Sequence, residues 1–386
     1  MSVPGASGRE PPALQRMLEL GQSPWLDLIQ RSLVTSGELQ RLIRDWGVRG
    51  VTSNPVIFEK AIAHSGEYDA DIAALARAGQ DAASIYEELA LADVAAAADL
   101  LLPVHRHSAA RDGFVSLEVS PHLAHDADAT VAEAQRLWAA LGRPNVMIKV
   151  PGTVAGQAAQ RRLLAEGINV NVTLLFSVPR YRRVLDAWMD GIEAAMRSGR
   201  APGSIASVAS FFLSRIDTRL DPQLDSLANG GGPRALDAAE LRGKVAIASA
   251  RIAHAAFASA RAMPRMQVLL AAGAQPQRLL WASTGTKNPA YADTLYVDAL
   301  VAADTVNTLP LETLRAFADH GDPQPMPTVP TLAARTLEQL EQVGIDLEGE
   351  TDALLVEGLE KFAQPFDTLL AVVEQARLRA LKGDRR

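Results

Sequence analysis

Eight short apolar segments alternate with longer helical patterns along the chain, and this alternation most constrains its fold. The apolar segments are rich in β-branched residues, and stretches rich in Ala, Leu, Arg and Glu, such as 126–141, separate nearly all of them. Alternating strands and helices predict a parallel sheet with helical crossovers. Eight such units favour a closed (β/α)8 TIM barrel over an open doubly wound sheet, and no Gly-x-Gly-x-x-Gly motif follows the first strand. The predicted strands are 24–28, 50–53, 114–119, 146–150, 168–176, 205–212, 279–283 and 305–309.

The chain has 386 residues, which exceeds the roughly 250 residues of a typical barrel. We therefore predict a single barrel domain over 1–386 with additional helices at its N- and C-terminal ends. Residues 1–12 are polar and rich in Pro and Gly, which predicts a flexible N-terminus, and the Asn-Gly-Gly-Gly-Pro run at 229–233 predicts a flexible loop. The proline-rich segment 321–330 is expected to be extended. It leads into a C-terminal helical addition over 331–386 that we expect to pack on the barrel.

Composition and charge argue against several classes of protein. Lys and Arg total 38 against 45 Asp and Glu, so the net charge is −7, whereas a nucleic-acid-binding protein needs a basic face. The most apolar stretch, 89–104, contains Asp93 and Asp99 and is too short to cross a bilayer, so we expect a buried helix there. The chain has no cysteine, which excludes a thiolate nucleophile and Cys-ligated zinc and is typical of a reducing compartment. We expect a cytoplasmic protein that binds neither nucleic acid nor membrane; a homo-oligomer is compatible with the sequence.

Polar residues occupy positions where a barrel strand is usually apolar. In the fifth predicted strand, Asn169, Asn171 and Thr173 alternate with aliphatic residues, so one face of the strand places them inside the barrel. A buried amide or hydroxyl costs about 1–3 kcal/mol unless it is hydrogen-bonded. The alternative to a functional site is a satisfied internal network that has no chemical role.

Further polar residues recur near the carboxyl ends of other predicted strands. In (β/α) barrels the active site lies at that end, and a random scatter of polar residues would not repeatedly select it. The pattern therefore predicts that these side chains meet in one site. They are Asp27, Asn54, Ser116, Glu118, Lys149 and Ser283.

The functional hypothesis depends on Lys149, which follows three apolar residues in the fourth strand. One alternative is that its stem packs on apolar neighbours while the ammonium reaches water. Burial lowers the pKa of a lysine, and a neutral amine can attack a ketone to form a Schiff base. Glu118 and Thr173 are the available pair to hold the water for the proton transfers, and Asp27 could move a substrate proton. Structural hydrogen bonds or ion pairs are the alternative for both acids. Schiff-base chemistry needs no metal and no organic cofactor, so we expect neither.

Six segments of the chain, in order between about 25 and 310, resemble the transaldolase family in its longer bacterial form. The resemblance implies a (β/α)8 enzyme of the pentose phosphate pathway that acts through a Schiff base. Such an enzyme moves a dihydroxyacetone unit from sedoheptulose 7-phosphate to glyceraldehyde 3-phosphate, giving erythrose 4-phosphate and fructose 6-phosphate. The tail beyond about 330 carries none of the matching segments. They are GVTSNPVIFEKAI (50–62), DGFVSLEVSP (112–121), NVMIKVPGT (145–153), GINVNVTLLFS (167–177), SVASFFLSRID (207–217) and WASTGTKNP (281–289).

The resemblance also implies roles for individual residues. Lys149 matches the Schiff-base lysine and Asp27 the general acid/base. Glu118 matches the residue that activates the catalytic water, and Thr173 the residue that holds this water. The implied substrate ligands are Asn54 and Asn171 for the dihydroxyacetone hydroxyls, Ser210 for a further hydroxyl, and Arg215 and Ser283 for the phosphate.

One position departs from the family pattern. Many members carry a second phosphate-binding Arg two residues after the serine matched by Ser283, but this chain has Gly285 there. The nearest cation is Lys287, which we assign as a phosphate ligand. A lysine binds phosphate as a point charge and not bidentately. The alternative is a solvated loop lysine.

Three other functions are alternatives to that of a transaldolase. Fructose 6-phosphate aldolase shares the barrel and the lysine, but it has a glutamine at the position of Glu118 and a tyrosine at that of Phe212. A metal-dependent enzyme is disfavoured because neither His pair, 105/107 or 122/125, lies in a strand with a carboxylate at ligand spacing. A non-catalytic barrel that binds sugar phosphates or a partner protein leaves Lys149 and Glu118 without a purpose.

Overall fold

The computed structural model describes residues 11–63, 65–327 and 329–383, which contain a closed barrel of eight parallel strands. Each strand pairs with the next, and the last pairs with the first, with Trp25 opposite Thr308. The predicted (β/α)8 fold and all eight strands are confirmed, with bounds that differ by two residues at most. The strands are β1 Gln22–Leu26, β2 Gly50–Thr52, β3 Phe114–Glu118, β4 Val146–Pro151, β5 Val170–Leu175, β6 Ser207–Phe212, β7 Arg278–Ala282 and β8 Thr305–Leu309.

Helices connect the strands and extend the chain at both ends. Residues 1–10 of the predicted flexible segment 1–12, and 384–386 of the C-terminal addition, lie outside the described residues, whereas α1 begins at Pro12. The α-helices are α1 Pro12–Glu19, α2 Arg31–Thr35, α3 Glu38–Asp45, α4 Pro55–Ala63, α5 Asp69–Arg77, α6 Ala82–His107, α7 Ala127–Leu141, α8 Val154–Ala165, α9 Val178–Arg197, α10 Ser214–Asn229, α11 Ala235–Leu241, α12 Val245–Arg261, α13 Pro264–Ala271, α14 Leu295–Ala299, α15 Leu311–His320, α16 Thr331–Gln342 and α17 Leu347–Gly383.

Local sequence signals set the bounds of helix α7, which was predicted at 126–141. The Asp126 side chain accepts a hydrogen bond from the Ala129 N–H and so caps the first turn. The helix ends where Gly142 adopts the left-handed conformation, at a φ of 56°. The run 229–233, predicted as a loop, overlaps the short break at 230–234 between α10 and α11, since α10 continues to Asn229.

Helix α6 contains the apolar stretch 89–104 that was predicted to be buried. Leu89, Val94 and Leu101 are at most 2% exposed, because this face of α6 packs on the barrel wall. Within the part of the chain that the structure describes, no helix is both long and apolar enough to cross a membrane.

The three polar residues that were predicted to face the barrel interior from the fifth strand do not all lie in β5. Asn169 precedes the strand, at its amino end, and its amide donates to the carbonyl oxygens of Pro144 and Val146, each at 3.0 Å. Its side-chain oxygen accepts from the Ala206 N–H at 2.8 Å. Asn169 therefore ties neighbouring chain segments together, as the structural alternative proposed, while Asn171 and Thr173 lie deeper inside the barrel.

Strand β5 is distorted beside Thr173. Its register against β6 shifts between Val172 and Leu175, and Leu174 has a φ of 59°, in the left-handed region that disfavours a branched side chain. Such bulges often lie next to active sites, where they redirect a side chain. The strain thus falls at the carboxyl end of the barrel, next to a predicted site residue.

A buried ion pair closes the amino end of the barrel. The Arg278 guanidinium donates to Asp112 Oδ1 at 2.9 Å, to Ser23 Oγ at 2.6 Å, and to the carbonyls of Arg111 and Thr305 at 3.0 and 2.8 Å. Burial lowers the pKa of Arg278, and the Asp112 carboxylate opposes this effect. The pair links β1, β7 and β8 to the segment that precedes β3.

The C-terminal helices pack against the barrel and its surrounding helices. Helix α16 contacts α11 and α12, and α17 lies across α4, α5 and α6 and reaches the end of β5. Charged pairs fix α17 at the rim: Arg180 Nη2 is 2.7 Å from Asp352 Oδ1, and Arg219 pairs with Glu350 and Glu357. The tail therefore covers part of the carboxyl end of the barrel.

We expect Asp112→Ala to destabilise the fold by about 3–5 kcal/mol, because it leaves the Arg278 charge buried without its partner. The free energy of unfolding in urea measures this loss. Asp99→Ala, which breaks a surface pair with Arg143, is the matched control and should cost less than about 1 kcal/mol. Equal losses in the two variants would contradict the structural role of the Arg278–Asp112 pair.

Candidate active site

A cavity of about 350 Å³ opens at the carboxyl end of the barrel. The strand-end residues converge there because all eight strands point the same way. Eight of the ten predicted site residues line it: Asp27, Asn54, Lys149, Thr173, Ser210, Arg215, Ser283 and Lys287. The other two, Glu118 and Asn171, lie directly behind lining residues and hydrogen-bond to them.

Lys149 projects from β4 into the barrel and is only 4% exposed. Its Nζ donates to the carbonyl oxygen of Ser53 at 3.1 Å and to Glu118 Oε2 at 3.3 Å. Glu118 and Lys149 are neighbours in the β3–β4 register, so the strand pairing itself brings the amine and carboxylate together. The amine therefore lies inside the site and does not reach bulk water, which argues against the solvated alternative.

Burial raises the pKa of both acids in the site. For Glu118 this effect exceeds the opposing charge and hydrogen bond of Lys149, and the nearby Asp27 raises the pKa further. For Asp27 burial again dominates over the charge of Lys149 and the hydrogen bond from Thr52. A raised pKa makes each carboxylate a better proton acceptor, which suits acid–base chemistry.

A pair of threonines that the sequence pattern did not select lies beside Asp27, and Thr52 orients its carboxylate. Thr52 Oγ1 donates to Asp27 Oδ1 at 2.6 Å and lies 2.7 Å from Thr308 Oγ1. Both hydroxyls sit at or near the carboxyl ends of β2 and β8. The sequence pattern picked out other strand-end hydroxyls, such as Ser116 and Ser283, but not this pair, whose contact joins the second and last strands of the closed barrel.

Thr173 and Asn171 differ in how their side chains are satisfied. The Thr173 hydroxyl is buried and lines the cavity, and no atom in the described part of the chain forms a hydrogen bond with it. The Asn171 amide instead donates to Ser116 Oγ at 3.1 Å and accepts from Ser210 Oγ at 2.7 Å. Thr173 is thus open to a water or ligand, whereas Asn171 supports Ser210 from below the cavity floor.

Asn54 lies between the end of β2 and helix α4. Its Oδ1 accepts from the Ile57 N–H at 3.1 Å, a bond across the first turn of α4. The amide nitrogen takes no part in this bond, and Asn54 lines the cavity. The residue can therefore serve both as a helix-end hydrogen-bond partner and as a ligand.

The far end of the cavity carries positive charge. Arg215, in the first turn of α10, lies over the Phe212 ring with 5.4 Å from Cζ to the centroid. Burial lowers its pKa, and its Nη1 has no hydrogen-bond partner among the described residues. Ser283 has a φ of 55° and lies with its Oγ 2.8 Å from Ser214 Oγ. An unpaired guanidinium and a nearby hydroxyl suit an anionic group.

Lys287 is exposed and also lines this end of the cavity. Its loop is anchored to α10, because the Tyr291 hydroxyl donates to Asp221 at 2.6 Å and that of Tyr296 donates to Asp217 at 2.9 Å. At Gly285 an added Cβ would lie 3.0 Å from Thr313 Oγ1. A side chain at that position would therefore require the Thr313 hydroxyl to shift.

A second cavity, of about 290 Å³, lies on the other side of Glu118. It shares Asn54 and Glu118 with the site, and Tyr86, Glu133 and Phe366 contribute to its wall. Lys149 does not line it, and most of the predicted site residues line the first cavity.

The His pairs of the metal-dependent rival lie elsewhere. His105 Nδ1 is 3.1 Å from the carbonyl oxygen of Asp112, and His122 Nε2 is 2.7 Å from Asp367 Oδ1 on α17. Neither is part of the cavity lining. Among the described residues, no group of three His, Asp or Glu side chains is arranged to hold a metal ion.

The sequence resembles known proteins over nearly its whole length. It matches the family model described as Transaldolase/Fructose-6-phosphate aldolase over residues 24–373. A Nostoc sp. protein named Transaldolase 2 is 47% identical over 371 residues, covering 94% of this chain and 97% of that protein. A Saccharopolyspora erythraea protein named Transaldolase is 46% identical over 364 residues, with coverage of 94% and 97%. A Mycobacterium leprae protein of the same name is 46% identical over 371 residues, with coverage of 94% and 96%.

The opposing effects on Glu118 give a prediction that does not depend on activity. In Lys149→Met the positive charge and its hydrogen bond are lost, so the pKa of Glu118 should rise and its carboxyl should stay protonated to a higher pH. Infrared difference spectra of the carboxyl C=O stretch, recorded against pH, measure this change, and Lys149→Met/Glu118→Gln identifies the band. A titration midpoint that is unchanged or lower would show that Lys149 does not stabilise the Glu118 anion.

Proposed function

The chain belongs to the transaldolase/fructose-6-phosphate aldolase family, and from this premise we propose that it works through a Schiff base on Lys149. Its function is that of a transaldolase, a transferase that moves a dihydroxyacetone unit from sedoheptulose 7-phosphate to glyceraldehyde 3-phosphate. The observation that carries the assignment of Lys149 is its buried Nζ, which lies 3.3 Å from Glu118 Oε2 in the cavity that also contains Asp27.

Formation of the Schiff base starts with proton transfer. Glu118 is placed to take a proton from Lys149, whose neutral amine then attacks the C2 carbonyl of the ketose and forms a carbinolamine. Glu118 next delivers a proton to the C2 hydroxyl, which leaves as water and gives the iminium. The unpartnered Thr173 hydroxyl supports this step because it can hold that water.

Cleavage and transfer then depend on Asp27. Its carboxylate takes the proton of the C4 hydroxyl, the C3–C4 bond breaks, and the electron pair moves into the iminium to give an enamine. The first aldehyde leaves, and the enamine carbon adds to the acceptor aldehyde while Asp27 returns the proton. The hydrogen bond from Thr52 fixes the orientation of the acid, and water finally releases the new ketose from Lys149.

The charged end of the cavity supports binding of the substrate phosphate. Arg215 and Ser283 are the proposed ligands, together with Lys287 at the opening. Asn54, with Ser210 and the Asn171 that supports it, is proposed to bind the hydroxyls of the dihydroxyacetone unit. The rival aldolase function is disfavoured by Glu118 and Phe212, which are the residues expected for the transferase.

Borohydride reduction in the presence of fructose 6-phosphate tests the proposed nucleophile. The wild-type chain should carry a reduced dihydroxyacetone or ketose adduct on Lys149, whereas Lys149→Ala should carry none, because only an iminium is trapped by reduction. Peptide mass spectrometry locates the adduct. Lys60→Ala is the matched control, since Lys60 lines the same cavity but is exposed, and it should still be labelled. An adduct that persists in Lys149→Ala would move the nucleophile to another residue.

Lys287→Ala tests whether Lys287 binds the substrate phosphate in place of the Arg that many family members carry two residues earlier. The KM for fructose 6-phosphate should rise about tenfold, which corresponds to about 1.4 kcal/mol of lost binding, while the much weaker turnover of unphosphorylated fructose should be little changed. Steady-state kinetics with both ketoses measure the difference, and Gln275→Ala, at a site remote from the cavity, is the control. Equal effects on both substrates would leave Lys287 as a solvated loop residue.

A further inference from the structure

The C-terminal helix α17 brings an aromatic side chain into the active-site cavity. Phe362 lines the cavity and is only 3% exposed. Its ring centroid lies 5.7 Å from Lys149 Nζ and also 5.7 Å from Arg215 Cζ. The same ring therefore lies beside both Lys149, the proposed nucleophile, and Arg215, a proposed phosphate ligand.

Helix α17 passes close to β5 at Gly358, one turn before Phe362. At Gly358 an added Cβ would lie 3.0 Å from Leu174 Cδ2 and 3.6 Å from Arg215 Nη1. The helix thus contacts the bulged end of β5, where Leu174 holds its left-handed conformation. Because residues four apart lie on one helical face, this close contact places Phe362 directly over the cavity.

The exposed parts of the cavity lining lie elsewhere. Lys60, Lys287 and Glu312 are exposed lining residues and mark the side that is open to solvent. Phe362 is buried and covers the interior, where Lys149 and Thr173 are found. Substrates can enter past the charged residues while the ring remains over the amine.

We propose that Phe362 determines the specificity of the reaction by limiting access of water to the intermediate on Lys149, so that the three-carbon unit is transferred and not released. Release requires a solvent proton on the enamine carbon, which gives the iminium of dihydroxyacetone. One water then adds to C2 and the C2–Nζ bond breaks, giving dihydroxyacetone and free Lys149. An apolar ring beside the amine restricts solvent supply to these steps, while Thr173 retains the one water that the normal cycle needs.

The inference rests on the proposed function, and substitutions of Phe362 test it. Two rates are measured for each variant: transfer from fructose 6-phosphate to erythrose 4-phosphate, and release of free dihydroxyacetone without an acceptor. Phe362→Ala should raise the ratio of release to transfer about fivefold or more, and Phe362→Leu, which keeps an apolar side chain, should restore most of the wild-type ratio. In D2O, the dihydroxyacetone released by Phe362→Ala should carry deuterium on one carbon.

Leu369→Ala is the matched control, because Leu369 is a fully buried residue of α17 that does not line the cavity. It should lower stability in a thermal melt but leave the ratio unchanged. If Phe362→Ala lowers both rates equally and the ratio stays constant, Phe362 only packs the helix and the proposal is wrong. Borohydride labelling of Lys149 in every variant separates this outcome from failure of the proposed function, since an unlabelled wild-type chain would overturn the Schiff base itself.

Discussion

The burial of Lys149 beside Glu118 is the constraint on which the active end of the barrel depends. Each charge taken out of water costs several kcal/mol after relaxation, and this cost is offset only by close partners and further hydrogen bonds. Here the Ser53 carbonyl and the Glu118 carboxylate supply them. These groups come from the end of β2 and from β3, so a single amine requires three neighbouring strands to hold their register. The geometry of the site therefore depends on the register of the strands.

Polar residues occur at both ends of the barrel, but they are satisfied differently. At the amino end, Asn169 makes three hydrogen bonds to the backbone. The Arg278 guanidinium makes four, and among the described residues only its buried Nε is left without a partner. At the carboxyl end, Thr173 Oγ1 and Arg215 Nη1 face a cavity without a partner in the described residues. Residue type alone therefore does not distinguish a structural polar residue from a candidate ligand-binding one. The distinguishing feature is a polar atom that has no protein partner and faces a cavity that a ligand can fill.

The sequence was sufficient for the architecture and for which residues meet at the carboxyl end of the barrel. Strand periodicity and the number of repeats predicted the barrel, and the strand-end positions selected Asp27, Glu118 and Lys149, which the fold brings together. The same pattern did not separate Asn169 from Asn171, since alternation reports only the face of a strand and not which end a residue occupies. It also missed the Thr52–Thr308 pair, whose contact joins residues 256 positions apart and depends on closure of the barrel.

Phe362 shows a different limit of prediction from sequence. A helical pattern identifies the apolar face of a helix, but it does not show which residues that face packs against. The ring reaches Lys149 only through tertiary packing of α17, which charged pairs at the rim fix in place. Arg180 and Arg219 extend from α9 and α10, which follow β5 and β6, to carboxylates on α17. Partly exposed pairs of this kind add little stability individually, yet together they connect α17 to two helices at the rim of the barrel. One turn before the ring, at Gly358, the helix comes closest to the bulged end of β5. The charged pairs at the rim and the buried ring thus have separate tasks: the pairs hold α17 against the barrel, and Phe362 keeps the Lys149 amine apart from bulk water.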